Sequence, residues 1–262
     1  VLDPPKSLPI ESLSISSINL FSRCPEKWRR RYLENQYEPA SGSMVLGSAV
    51  GAAAGSNYQE KIQTMVDQPL ERVLDTYADE FELRKEQEEI DWGRDKPGTL
   101  KDSGTDVLTI YQEIVAPTTF PTAVERKFEL SFPEVDWTFK GYIDLEDLGS
   151  VSDLKVRRAR MNQNDADSDP QATAYLLARR AEGNPARSFN FHTMVRTKQP
   201  YTEQVPTARS DQQMDNFINR LYRVATEMVW RTENEAWQGA PPGAWWCSKT
   251  MCAWHGNGCA FV

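Results

Sequence analysis

Two short acidic stretches carry the residues best suited to chemistry: Gly141-Tyr142-Ile143-Asp144-Leu145 and Val151-Ser152-Asp153-Leu154-Lys155. Side chains alternate along a strand, so Asp153 and Lys155 share one sheet face. Gly149-Ser150 supplies a turn between the two stretches, and Asp144 then meets Asp153 across the hairpin. Carboxylates paired in this way can hold Mg²⁺ or Mn²⁺ with coordination positions left open. Phosphodiester hydrolysis needs an activated water, stabilised phosphoryl oxygens and help for the leaving alkoxide, all of which such an ion supplies. Lys155 stands where it can orient the water or neutralise the transition-state phosphate.

A second set of candidates lies at the chain ends. Cys24 stands alone, while Cys247, Cys252 and Cys259 crowd the last sixteen residues. Four cysteines allow two disulfides, one disulfide with free thiols, or a shared metal. A one-plus-three distribution is unusual for a disulfide framework in so long a chain, and a reducing compartment disfavours disulfides, so metal is expected. The C-x4-C-x6-C spacing is not that of a zinc ribbon. Four thiolates suit a [4Fe–4S] cluster or tetrahedral zinc equally. His255 is a ligand by type but is not needed beside four thiolates, and Trp245, Trp246 and Trp254 could shield the site.

The elements that must position these groups read as helices, then strands, then helices. Residues 1–13 form an extended leader with three prolines. Ser14 or Ser16 caps a helix that Cys24-Pro25 ends, and an amphipathic stretch runs from Glu26 to Leu33. Residues 43–66 read as a small-residue helix open to close backbone approach. Helices are expected over 69–90 and 104–115, with a mobile polar loop at 91–103. Strands follow at 123–132, 138–146 and 151–156. After a polar loop at 162–170 come a helix at 171–181, strands at 189–196 and 201–205, and a long helix at 211–237. The order predicts an α/β fold, a central mixed β-sheet flanked by helices.

The 262 residues are 39% hydrophobic and 26% charged, with a formal charge of −8. That length suits one large core, and no run approaches the about 20 apolar residues that span a bilayer. A cytoplasmic protein without a membrane partner is expected. An acidic total argues against indiscriminate nucleic-acid binding, yet two basic clusters adjoin the candidate chemistry. Arg23, Lys27, Arg29, Arg30 and Arg31 form one; Lys155, Arg157, Arg158 and Arg160 form the other, and both are expected to contact phosphate.

The set Gly141…Asp144, Asp153-Leu154-Lys155 and Gln171…Tyr175 resembles the PD-(D/E)XK nucleases, in particular their RecB-type branch. The opening Ser14-Ile15-Ser16-Ser17-Ile18-Asn19…Cys24-Pro25…Trp28…Tyr32 is similar to that branch's first helices. The four cysteines resemble its iron–sulfur members, which include CRISPR-associated nucleases and phage exonucleases.

The resemblance implies a restriction-endonuclease-like core in a single nuclease domain: a helical region at 1–116, a catalytic sheet at 117–208, and a long helix with an iron–sulfur tail at 209–262. It implies that Asp144, Asp153 and the Leu154 carbonyl bind Mg²⁺ or Mn²⁺, and that Lys155 is the catalytic lysine. Gln171 and Tyr175 would line the site, Glu125 would match a further acidic position, and Cys24, Cys247, Cys252 and Cys259 would hold the [4Fe–4S] cluster. The implied activity is a metal-dependent DNA exonuclease of phage or bacterial recombination and repair, acting on single-stranded or duplex ends, alone, as a homo-oligomer or with a recombination protein. The alternative is a DNA-end-binding or CRISPR-adaptation accessory protein with a weakened nuclease core. One departure supports that alternative. The family places a metal-binding histidine on the early helix where this chain has Gly51, and only His192 and His255 exist. Glu60, nine positions on, falls on the opposite helix face.

Overall fold

The computed structural model describes residues 3–262. Its helices are α1 (Ile15–Arg23), α2 (Pro25–Tyr32), α3 (Gly42–Thr64), α4 (Leu70–Gln87), α5 (Pro97–Ile114), α6 (Gln163–Ser168), α7 (Pro170–Ala181) and α8 (Asp211–Glu233). Its strands are β1 (Ser12–Leu13), β2 (Ala40–Ser41), β3 (Ile90–Asp91), β4 (Pro121–Ser131), β5 (Thr138–Asp147), β6 (Ser150–Arg157), β7 (Ser188–Val195) and β8 (Tyr201–Thr207). The main sheet has the order β1-β5-β6-β7-β8, with β4 also on β5. It is mixed: β1/β5 and β6/β7 are parallel, β5/β6 and β7/β8 antiparallel. The expected fold class is the one observed. No described helix is long and apolar enough to cross a membrane.

The chain divides into two compact units, one of residues 3–38, 128–141 and 210–262, the other of 39–127 and 142–209. In the first, Ser14 caps α1 through its hydroxyl. The Cys24 sulfur then accepts the Lys27 N–H at 3.4 Å, so this residue ends α1 and opens α2. Pro25 at the first position of α2 gives up no hydrogen bond, because that N–H has no helical partner. The Trp28 indole donates to Ser17 Oγ at 2.9 Å in the buried angle between the two helices. Helix α8 starts with a reciprocal Ser210/Gln213 capping box and buries Met214, Phe217, Leu221, Ala225 and Met228.

In the second unit α3, α4 and α5 pack around Val45, Leu46, Val50, Val73, Tyr77, Phe81, Val107 and Leu108, with Leu154 and Val156 of β6 against them. Gly104 is required there, since a Cβ would lie 2.0 Å from the Tyr77 hydroxyl, which donates to the Lys101 carbonyl. Gly149 turns β5 into β6 at φ +89°, a conformation open to glycine.

Three expectations are corrected. The loop foreseen at 91–103 is short: α5 already starts at Pro97, and β3 pairs with β2 ahead of it. Gly98 and Gly104 weaken the local helix signal, but Pro97 suits a first turn and tertiary contact decides. The polar loop at 162–170 holds α6, capped by Asn162, whose side chain accepts the Asp165 N–H at 2.8 Å. Helix α8 stops at Glu233 rather than Trp237, with Glu235 left-handed at φ +48°.

A buried polar chain crosses the helical side of the second unit. Tyr58 and Tyr111 hydroxyls lie 2.6 Å apart, and Tyr111 Oη lies 3.0 Å from His192 Nδ1. Burial pushes His192 down to about 4, so the folded protein holds this ring neutral. The unfolded chain binds its proton near the ordinary value of 6.5, so this contribution is complete above that pH and is lost as pH falls toward about 4. Urea unfolding at pH 7.5 and pH 4.5 should therefore show His192→Gln recovering about 2–3 kcal/mol relative to wild type on acidification. An offset that does not change with pH would show that the ring is not held neutral.

Candidate active site

The β5/β6 ladder pairs Leu145 with Ser152 and Glu146 with Val151, so Asp144 stands opposite Asp153. Asp144 Oδ2 accepts the Leu154 N–H at 3.2 Å, which fixes the side chain of one strand to the backbone of the other. Asp153 is 2% exposed. Lys155, two residues on, lies with Nζ 2.6 Å from Asp153 Oδ2 and 5.7 Å from the Phe191 ring centre.

Helix α7 closes the group from the other side. Pro170 opens the helix and Asp169 caps it, its carboxylate accepting the Gln171 N–H at 2.8 Å. Gln171 and Tyr175, four apart, therefore share a face. Gln171 is the hub. Its amide nitrogen donates to Asp153 Oδ1 at 2.6 Å and to Tyr175 Oη at 2.7 Å, and its carbonyl accepts from Lys155 Nζ at 3.0 Å. The Tyr175 hydroxyl passes its own hydrogen to Asp144 Oδ1 at 3.1 Å. All five residues singled out as catalytic thus meet in one closed network.

Electrostatics explains what the network holds. Burial raises both carboxyls, and each is raised further by acidic neighbours: Asp144 by Glu125, Asp153 by Asp144. Asp153 is pushed up to about 8 despite Lys155. Two like charges this close in a low-dielectric site cannot both ionise without a cation, so the pair keeps one proton between them near neutral pH. Burial works against the Lys155 ammonium, but Asp153 offsets it and leaves the lysine raised. Desolvation, with the two aspartates behind it, keeps the Tyr175 phenol protonated.

A divalent ion fits this donor set. Asp153 Oδ2 is buried, and the Lys155 ammonium at 2.6 Å is the charge beside it. Two hard carboxylates are ligands of the type that Mg²⁺ and Mn²⁺ prefer. Among the described residues no three His, Cys, Asp or Glu side chains converge on one point. An ion here would take most of its coordination shell from water and substrate.

Beside Asp144 opens a cavity of about 460 Å³, walled also by Leu154, Glu125 and one face of α3. Gly51 lies on that wall, so the family's histidine position does face the acids, with glycine in it. Glu60 lies elsewhere, paired with Arg72 at 2.9 Å. Glu125 adopts a left-handed φ of +47°, and the inward/outward alternation of β4 slips by one residue around it, as at a bulge. It is open to solvent, and partial burial together with Asp153 raises its carboxyl. Sequence reasoning missed Arg84 of α4, which also lines this cavity. The glycine period was legible: Gly47, Gly51 and Gly55 fall on one helix face, each at about 1 kcal/mol against alanine.

In the first unit Cys24, Cys247, Cys252 and Cys259 all line one small cavity together with Trp254 and His255. His255 Nδ1 lies 3.8 Å from Cys247 Sγ. Burial raises the Cys24 and Cys252 thiols. Arg30 lies over the Trp254 ring and donates to the Gly258 carbonyl, while the Ala253 N–H donates to Glu38, so α2 and its exit grip the cysteine tail. Trp254 lines this cavity, and Trp245 and Trp246 line a neighbouring one with Cys24, Cys247 and Cys252, although Trp245 is 68% exposed.

Most members of the two basic clusters have carboxylate neighbours. Arg29 and Arg30 pair with Glu26, and Lys27 with Glu38. Arg158 pairs with Asp95, Arg160 with Glu203, and Arg157 lies 3.7 Å from Asp165. Arg158 and Arg160 stay mostly exposed in their pairs.

The sequence has no match among curated proteins. A crystal structure from Eubacterium rectale, provisionally described as an exonuclease, superposes with a TM-score of 0.61 at 12% identity, covering 91% of this chain and 87% of its own. At that identity the likeness establishes the fold. The family profile reaches further, matching residues 12–257, a span that includes the acid pair, the lysine and the α7 hub. On that match the chain belongs to the PD-(D/E)XK nuclease superfamily.

Proposed function

We propose that the protein is a Mg²⁺- or Mn²⁺-dependent deoxyribonuclease that works from DNA ends. The observation that carries this reading is the closed network joining two facing carboxylates to Lys155 through Gln171. A divalent ion held by Asp144 and Asp153 would supply Lewis-acid polarisation and a water of lowered pKa. The chain's own residues do the rest. Lys155 keeps a positive charge beside the site of phosphoryl charge build-up, Gln171 fixes both the lysine and Asp153 in one orientation, and Tyr175 holds Asp144 by donating to it. Leu154 keeps the two strands in register through its N–H and is the adjacent source of a backbone carbonyl ligand.

End-directed action is supported by depth. Asp153 is almost inaccessible, and a strand reaches the acids through the cavity rather than across a flat groove. The provisional description of the structural neighbour as an exonuclease points the same way. The four thiols facing one cavity are read as the ligands of a [4Fe–4S] cluster that ties the cysteine tail to α1 and α2. Roles in phage or bacterial recombination and repair fit an end-processing enzyme.

Three measurements test this reading. End-labelled DNA should be degraded with Mg²⁺ or Mn²⁺, and Asp153→Ala and Lys155→Ala should each cost on the order of 10²–10⁴-fold in kcat. Undiminished digestion by either variant rejects the site, and salt-dependent DNA binding without turnover under any divalent metal favours the accessory-protein reading. Because cation binding must displace the shared proton, apparent metal affinity should rise about tenfold per pH unit up to about 8 and then level. Calorimetry in buffers of different ionisation enthalpy should count about one proton released, and affinity constant between pH 6 and 8 would show that the acids share none. Anaerobically purified protein should contain about four iron and four sulfide per chain with absorbance near roughly 400 nm, whereas stoichiometric zinc would reassign the thiols.

A further inference from the structure

The glycine face of α3 has no packing explanation. A Cβ added at Gly47 or Gly51 would meet nothing within 4 Å, and one at Gly55 only Val124 at an ordinary 3.5 Å. Alanine would fit at all three positions and make a better helix. A glycine with no neighbour that needs it leaves open the space that a side chain would fill. That space is the cavity beside Asp144.

Arg84 stands on the wall of the same cavity. Its Nε is buried and makes no hydrogen bond. One terminal nitrogen donates to Glu88, the residue that caps α4, at 3.2 Å, and Nε itself lies 3.8 Å from Glu80 one turn earlier, with all three side chains about a third exposed. Such pairs are weak and exchange readily with a better anion. A guanidinium held by pairs this weak suits the paired non-bridging oxygens of a phosphodiester, which it can grip in a fork. Opposite it, the bare helix face lets a sugar–phosphate backbone approach without a side chain in the way.

We propose that Arg84 and the glycine face of α3 form the channel by which a DNA strand reaches the acid pair, with Arg84 holding a phosphate next to the one that is cleaved. This deepens the nuclease reading and rests on it. Arg84 is a positioning residue. It acts on the strand as a whole, so its loss weakens capture more than chemistry.

The test uses the full-length protein, single-stranded and duplex-end oligonucleotides, and two readouts. In steady state with Mg²⁺ or Mn²⁺, Arg84→Ala should raise KM about ten- to a hundredfold with kcat within about threefold, and Arg84→Lys should recover part of the loss. In binding assays on the Asp153→Ala background, adding Arg84→Ala should make log Kd against log salt shallower by about 0.7 for single strands. Gly51→Leu should fold, with Tm at or above wild type, yet lose DNA capture because its side chain fills the channel. Arg72→Ala, whose partner Glu60 lies off the cavity, should change none of these. Unchanged KM and salt slope in Arg84→Ala, or normal capture by a folded Gly51→Leu, overturns the channel. Wild-type protein that binds DNA but never cleaves it overturns the hydrolytic reading alone, and the binding arm still decides the channel. Wild-type protein that binds no DNA overturns both.

Discussion

Two carboxylates forced together, one buried and one at the foot of a cavity, set the terms for the second unit. Asp144 and Asp153 face each other across β5 and β6, and neither strand could hold its acid there without help. One shared proton, one ammonium and one amide supply that help. Each of these is weaker compensation than a doubly charged ion, so the metal-free state is the less settled one.

The surrounding elements can be read as supports for that pair. The Asp169 cap and Pro170 set the start of α7, which decides where Gln171 and Tyr175 point. Apolar Leu154 and Val156 anchor the opposite face of β6 in the helical core, so Asp153 and Lys155 cannot rotate away. The strained φ of Glu125 and the alternation slip in β4 turn another acid toward the cavity, a cost of the sort that functional sites carry. The bare face of α3 gives up helix stability and leaves room beside Asp144. In the other unit the same economy appears in Cys24, which ends one helix, caps the next and faces the remaining thiols.

Much of this was legible in the sequence, for definite reasons. Strand periodicity and a glycine turn are strong local signals, so the pairing of Asp144 with Asp153 and the shared face of Asp153 and Lys155 could be read directly. The i, i+4 spacing of Gln171 and Tyr175 placed both on one helix face. What escaped was non-local. Pro97 and Gly98 look like loop residues until α5 packs on α3 and α4, and Arg84 lies in a stretch with no distinguishing pattern. The partners of the basic clusters also escaped, because charge near a motif says nothing of the carboxylates that the fold brings beside it, as Asp95 and Glu203 stand beside Arg158 and Arg160. Gly51 was read as a missing ligand, and its place on the cavity wall appears only in three dimensions.

The central claim is that one cation belongs between two particular side chains. Crystals soaked in Mn²⁺ and measured at the manganese absorption edge address it without reference to activity. The account predicts an anomalous peak at coordination distance from a carboxylate oxygen of both Asp144 and Asp153, with Lys155 Nζ close by but not bound to it. A peak held by other residues, or none in crystals whose protein binds Mn²⁺ in solution, would contradict it.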